Sequence, residues 1–202
     1  MFVSFEGPEA SGKTTQVHIL AAALRNRGLT VVVAHEPGAT AVGEAIRNLV
    51  LGLDSERSVE PRTEALLFAA ARAQLVDEVI APAIVRGDVV ICDRYGDSTL
   101  AYQVGGRGLP EAPVRLVVEF ATGGLRPDLT ILLDLSVDES TRRKAGSRPD
   151  RVEREDEAFH QRVRKKYLSL ASAEPSRFVV IDARQSAEII ASAILAKINE
   201  KL

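Results

Sequence analysis

Five short apolar runs punctuate the chain: Phe2–Phe5, Thr30–Ala34, Val89–Cys92, Leu129–Leu135 and Phe178–Ile181. They are rich in Val and Ile and nearly continuous rather than alternating, the pattern of strands covered on both faces of a parallel sheet. Between them, polar and apolar positions recur at helical spacing over residues 13–27, 41–51, 61–85, 111–122, 136–145, 153–173 and 186–200. Strands alternating with helices predict an α/β fold, a parallel five-stranded sheet with helices on both faces. No repeat, low-complexity tract or Pro/Gly-rich linker divides the chain, so a single domain over residues 1–202 is expected. One segment breaks the periodicity. Arg142 to Asp156, RRKAGSRPDRVERED, carries five arginines and a lysine, with Gly146 and Pro149 interrupting any helix. It reads as a flexible basic flap between two helices, either a solvated charge run balanced by its own acids or a lid that brings cations to a reacting group.

Composition narrows the classes. The 202 residues are 46% hydrophobic and 27% charged, with a net charge of -2. This is the profile of a globular domain able to bury a sizeable core. The near-neutral balance gives no general attraction to nucleic acid or anionic membrane, so anion binding must come from local clusters. A single cysteine, Cys92, cannot form an internal disulfide. The opening MFVSFEG lacks the features of a signal peptide, and no apolar run approaches the roughly 20 residues that span a bilayer. A cytoplasmic protein with no nucleic-acid or membrane partner is expected.

The first apolar run leads into GPEASGKTT, in which Gly7-x-x-x-x-Gly12-Lys13-Thr14 matches the phosphate-loop pattern of P-loop NTPase-type sheets. Glycines let successive backbone N–H groups point inward at an anion. Lys13 opens the next helix, where the dipole adds positive potential, and can reach the outer phosphates of a nucleotide. Thr14 offers a hydroxyl to the Mg²⁺ that accompanies a nucleoside triphosphate. Asp93 closes the run VVIC, at a strand's carboxyl end, where ligands of open α/β sheets bind. It reads as a holder of Mg²⁺ water or as a strand-end turn residue. The guanine-reading N-K-x-D is absent, which argues against a GTPase switch despite the D-x-x-G of DRYG. Phe68 and Arg72 lie four residues apart on one helix face, so a ring and a guanidinium are placed either to stack on a base and clamp a phosphate or to join the core with Leu75. Glu9 poses a separate question, because it puts a negative charge inside a loop built for anions.

The segments GPEASGKTTQ, HEPGAT, LLFAAARAQ, DRYGDSTLAYQVGGRG and DRVE occur in the order and spacing of bacterial thymidylate kinases, and the chain resembles that family from Phe2 to about Ala183. The resemblance implies transfer of the γ-phosphoryl group of Mg·ATP to dTMP, giving dTDP and ADP, with ATP held by the loop Gly7, Pro8, Glu9, Ala10, Ser11, Gly12, Lys13, Thr14 and Thr15. It implies that Phe68 stacks on thymine, that Arg72 reaches the base and acceptor phosphate, and that Arg94 binds that phosphate. Ser98, Thr99 and Gln103 would sit by the base, Tyr102 under the sugar, and Glu36 and Pro37 beside the acceptor. Glu9 would face the acceptor's 3′-hydroxyl rather than the ATP phosphates, with Thr14 and Asp93 holding Mg²⁺. Some relatives carry an arginine next to the loop acid. Here that residue is Ala10, so a lid cation, Arg148 or Arg151, is expected to assist Lys13 and Arg94. Arg143 would pack on the adenine, opposite Ala183 and Gln185. His35 stands where many bacterial members have Arg. Relatives pair as homodimers through helices near the acceptor side.

Overall fold

The computed structural model describes residues 1–52, 59–146 and 149–201. Five strands, β1 (Phe2–Glu6), β2 (Val31–His35), β3 (Val89–Asp93), β4 (Leu129–Asp134) and β5 (Phe178–Asp182), form one parallel sheet in the order β2-β3-β1-β4-β5. The continuous apolar runs are strands covered on both sides. Phe5, Ile91, Ile131 and Leu133 pack with α1 (Lys13–Arg25) and the chain's last helix. On the opposite face, Phe2, Val90 and Cys92 pack with Leu75, Val76 and Ile80. Each such side chain, fully buried, contributes about 1.5–3 kcal/mol.

The remaining helices are α2 (Ala41–Leu51), α3 (Pro61–Leu75), α4 (Ala81–Val85), α5 (Gly96–Thr99), α6 (Glu111–Thr122), α7 (Val137–Arg143), α8 (Glu157–Ala173) and α9 (Ala187–Asn199). The periodic stretch 61–85 is one helical rod, with a wide π-helical turn over Val76–Ile80 joining α3 to α4. Pro82 has no N–H to donate one turn back, and the Ala81 N–H bonds the Val76 carbonyl five residues earlier instead. α8 begins at Glu157 rather than at residue 153, because the Asp156 carboxylate caps the Phe159 N–H at 2.6 Å.

One helical stretch escapes the sequence pattern. Residues 96–106 form α5 continued by a second π-helical turn, Leu100–Gly106, outside every helical stretch expected from the periodicity. Gly106 is there for close approach: a Cβ on it would lie 2.4 Å from the Phe159 ring of α8. This packing carries α5 and its extension across the carboxyl end of the sheet. The strands end there in register, with Phe5 and His35 each opposite Asp93. The strand order turns back on either side of β1, so a crevice opens beyond its end.

Candidate active site

β1 runs into the phosphate loop. Gly7 takes φ 139°, and a Cβ there would lie 2.4 Å from the Leu133 carbonyl oxygen, so β4 tolerates only glycine at this turn. The loop delivers Lys13 into the protein, 7% exposed, with Nζ donating to the carbonyls of Gly7 at 3.2 Å and Pro8 at 2.8 Å. Ala10, Gly12, Lys13, Thr14, Thr15 and Asp93 line a cavity of about 610 Å³ at the α1 N-terminus. Thr14 Oγ1 donates to Asp93 Oδ2 at 2.6 Å, which puts a hydroxyl and a carboxylate oxygen side by side on that cavity. Two hard oxygen ligands of this kind fit a Mg²⁺ ion that keeps several of its waters. Arg143, from the end of α7, bridges the loop to the far wall: Nη1 donates to the Ala10 carbonyl at 3.3 Å and Nη2 to the Ala183 carbonyl at 2.9 Å. Gln185 is exposed just beyond Ala183.

A second cavity, about 190 Å³, adjoins the first and shares Glu9, Glu36, Arg47 and Arg94 with it. Its walls bring together Glu9, Glu36, Pro37, Phe68, Arg72, Arg94, Ser98, Thr99, Tyr102 and Gln103, which come from four separate stretches of sequence. Phe68 is half-buried on this wall and belongs to none of the packed clusters, whereas Leu75 is fully buried in one. Arg72 is 2% exposed and nearly saturated. Nε donates to both oxygens of Glu36, at 3.0 and 2.8 Å. Nη2 donates to Glu36 Oε2 at 2.5 Å and to the Tyr95 carbonyl at 3.2 Å, and Nη1 donates to Thr99 Oγ1 at 2.8 Å. A guanidinium has five N–H donors, so one, on Nη1, remains for a ligand.

Glu9 lines both cavities, and its Oε1 accepts from Arg94 Nη2 at 2.5 Å and from the Tyr102 hydroxyl at 2.8 Å. Burial works against its charge. The charges of Arg94 and Lys13 and the Tyr102 hydrogen bond outweigh that and hold its carboxyl down at about 2. The acid inside the anion loop is therefore a fixed carboxylate flanked by cations, not an unpaired negative charge. The sign of the linked stability follows. A folded value near 2 against an ordinary 4.5 adds stability that is complete above pH 4.5 and is lost as pH falls toward 2. The stability advantage of the wild type over Glu9→Gln in urea unfolding is expected to be full at pH 7 and to shrink between pH 4.5 and 3. An advantage that is constant with pH would mean that Glu9 gains nothing from its charge.

Arg94, at φ 72°, follows β3 in the left-handed region, and its guanidinium donates to the Gly7 carbonyl at 3.1 Å, Tyr167 Oη at 3.3 Å and Ser98 Oγ at 3.4 Å. Strain of this kind is held in place by surrounding contacts and costs about 1–3 kcal/mol. Behind Arg94 lies Glu6, fully buried, which accepts from the Tyr95 N–H at 2.8 Å, Ser98 Oγ at 2.6 Å and Tyr167 Oη at 2.8 Å. Burial, with the charge of Asp97 adding to it, pushes this carboxyl up to about 7.

Sequence reasoning did not single out Glu6, Tyr167, Glu64 or Arg47. Arg47 reaches both cavities from α2 and donates to the Pro37 carbonyl at 2.8 Å. The one available signal was a charged residue inside an apolar strand, Glu6. Asp150 and Glu153, flap acids read only as charge balance, also line the second cavity. Arg151 is not at the phosphate loop. It is paired with the Glu64 carboxylate and donates Nε to the Val50 carbonyl at 2.8 Å. Arg148 lies outside the described residues. His35 lines the phosphate-loop cavity but not the second one, its Nε2 3.0 Å from Glu44 Oε1.

A glycine-rich loop between the central strand and the first helix of a five-stranded parallel sheet, with Lys13 and Thr14 at the helix start, defines a P-loop NTPase fold. The comparisons narrow this. Residues 5–194 match the family model described as Thymidylate kinase. The thymidylate kinase of Bifidobacterium longum is 52% identical over 202 residues, covering 99% of this chain and 98% of its own. That of Thermomicrobium roseum is 49% identical over 201 residues, covering 98% and 94%. A crystal structure of thymidylate kinase from Ehrlichia chaffeensis superposes with a TM-score of 0.79 at 29% identity, covering 98% of both chains. The chain belongs to the thymidylate kinase family.

Proposed function

We propose that the protein transfers the γ-phosphoryl group of Mg·ATP to dTMP, giving dTDP and ADP, and so serves dTTP synthesis. The observation that carries this reading is the junction of the two cavities: a phosphate-loop cavity and a second, base-sized cavity meet at Glu9 and Arg94. That geometry suits in-line transfer between two bound nucleotides, a reaction driven by positioning and charge stabilisation rather than by covalent chemistry.

In this reading the loop Gly7–Thr15 holds the ATP phosphates, Lys13 reaches the migrating group, and Arg143 lies along the adenine near Ala183 and Gln185. Thr14 and Asp93 hold Mg²⁺, which when bound neutralises charge on the phosphates. Arg94 and the free Nη1 donor of Arg72 face the acceptor phosphate and base. Glu9 orients the acceptor's 3′-hydroxyl, while Tyr102 lies under the sugar, where a 2′-hydroxyl would clash. Ser98, Thr99 and Gln103 border the base, with Glu36 and Pro37 closing the pocket. No side chain need act as a strong base. Arg151 or Arg148 supplies the lid cation, and Arg151 must then leave Glu64 as the lid closes. The chain acts as one kinase domain with a lid at residues 142–156.

A homodimer is supported by apolar surface on two helices that pack together. Leu66 of α3 and Leu116 and Phe120 of α6 are 58%, 66% and 90% exposed, Phe120 almost completely so. Among the described residues no helix is long and apolar enough to cross a membrane. The substrates of the reading place the protein in the cytoplasm.

Coupled ADP release tests the reading, run with Mg·ATP alone and then with dTMP, dUMP, UMP, dCMP, dGMP or AMP. Turnover with dTMP, weaker turnover with dUMP and almost none without acceptor are expected. Acceptor-independent hydrolysis as the only activity would overturn the assignment. Phe68→Ala is expected to raise the KM for dTMP about 10- to 100-fold, the cost of one base–aromatic stack of about 1–3 kcal/mol, and to change the KM for ATP by less than about twofold. Equal effects on both substrates would return Phe68 to a packing role.

A further inference from the structure

Glu64, near the start of α3, is 1% exposed and touches neither cavity, yet it gathers three parts of the molecule. Its Oε1 accepts from Gln103 Nε2 at 2.9 Å and from Arg107 Nε at 3.0 Å. Its Oε2 accepts from Arg107 Nη2 at 3.1 Å and from the guanidinium of Arg151. Arg107 is itself fixed by Glu155 at 2.5 Å and lies 4.9 Å over the Phe159 ring. Two carboxylates and two guanidiniums make the cluster neutral. Burial favours the protonated form of Glu64, but hydrogen bonds from Arg107, Arg151 and Gln103 outweigh it and hold the carboxyl below its ordinary range. Glu64 is therefore an ionised group that can only accept hydrogen bonds, and the bonds from Arg107 keep it so whether or not Arg151 stays.

That decides which way Gln103 faces. A carboxamide presents NH₂ on one side and oxygen on the other, and the two are interchangeable by a half-turn unless a neighbour selects between them. Against Glu64 only the NH₂ is tolerated. Gln103 lines the acceptor-side cavity, and among the described residues no donor is hydrogen-bonded to its Oε1. We infer that Glu64 is a positioning residue that sets base specificity: by holding the Gln103 amide with its oxygen toward the pocket, it selects an acceptor whose base carries an N3–H donor. Thymine and uracil carry that hydrogen. Cytosine presents an N3 acceptor, which would set two lone pairs against each other and leave a buried group unpaired. The inference rests on the dTMP reading and deepens it, because it moves the choice of pyrimidine one shell behind the pocket wall.

The test is kcat/KM with dTMP, dUMP and dCMP for the wild type, Glu64→Gln, Gln103→Met and the double variant, each first checked for cooperative thermal unfolding. A ratio of two substrates on one preparation cancels any inactive fraction, so mere loss of structure does not move it. In Glu64→Gln the neighbour can donate as well as accept, the Gln103 amide turns either way, and dTMP-over-dCMP discrimination should fall about tenfold or more. Replacing the amide by a thioether in Gln103→Met should lower it to a similar degree, and the double variant should go no lower. The dTMP-to-dUMP ratio, which concerns the 5-methyl group, should stay within about twofold throughout. An unchanged dTMP-to-dCMP ratio in a folded Glu64→Gln would make Glu64 a structural brace and overturn the inference. The same ratio unchanged in Gln103→Met would overturn it even if Glu64→Gln failed to fold. A wild type that does not prefer bases with an N3–H removes the functional reading itself, whereas a wild type with that preference and insensitive variants removes only this inference.

Discussion

Lys13→Ala is expected to lower turnover about a hundred- to a thousandfold while the protein stays folded. The ammonium sits at the start of α1, bonded to two loop carbonyls, where burial and the charge of Arg94 push it down to about 8 against the opposing pull of Glu9 and Asp93. At pH 7 it is still mostly protonated, so the cation is present when the phosphates arrive. A charge aimed at the migrating group in a site with little water contributes on the order of 3–4 kcal/mol to the transition state, comparable to removing one preorganised oxyanion donor. The stability cost should be small. The two carbonyls can turn to water in the open cavity, and Glu9 keeps its bonds to Arg94 and Tyr102. Steady-state ADP release beside a circular dichroism melt reads both sides. Turnover within about tenfold of wild type would remove Lys13 from the mechanism, and a collapsed melt would mean that the amine holds the loop together.

The largest loss of stability is expected from Arg72→Ala. It strips a buried carboxylate of its partner, a change that typically costs about 3–5 kcal/mol, because Glu36 would keep its desolvation penalty without its counter-charge. Burial already holds the Glu36 carboxyl above its ordinary value with Arg72 in place, and without the guanidinium it should rise further. A raised folded value means stability that is present below the unfolded value and is lost as pH rises. The deficit of Arg72→Ala in chemical denaturation should therefore be larger at pH 8 than at pH 5.5. Removing the charge as well, in Arg72→Ala with Glu36→Gln, should recover part of it. Arg72→Lys should not restore acceptor affinity, since one ammonium cannot serve Glu36, Thr99 and the Tyr95 carbonyl at once. A deficit below about 1 kcal/mol that does not vary with pH would show that this pair is far better hydrated than its burial suggests.

What was readable in the sequence and what was not follows from the range of the interactions involved. All five strands and the main helices were legible because a strand covered on both faces must be continuously apolar, and a helix on such a sheet must be apolar every three to four residues. The phosphate loop was legible because its geometry needs particular residues within eight consecutive positions. The helical segment 96–106 was not, because its glycines signal turns locally, and only the approach of Phe159 shows that they make room for α8. The side chains of the acceptor cavity were named through resemblance to a family. Spacing alone left Phe68 between stacking and core, and its half-exposed place on the cavity wall depends on where α3 lies against α5.

By itself, then, the chain specified an α/β sheet, a site at the carboxyl end of its strands, and a loop for phosphates, since each of these is encoded by contiguous residues and short periods. Three matters were decided only by tertiary structure: that Glu9 is paired to Arg94 and Tyr102, that Arg151 is held by Glu64, and that the Gln103 amide donates to Glu64. Each depends on a carboxylate meeting a donor more than 35 residues away in the chain in a buried space, where no local pattern records which partner that will be.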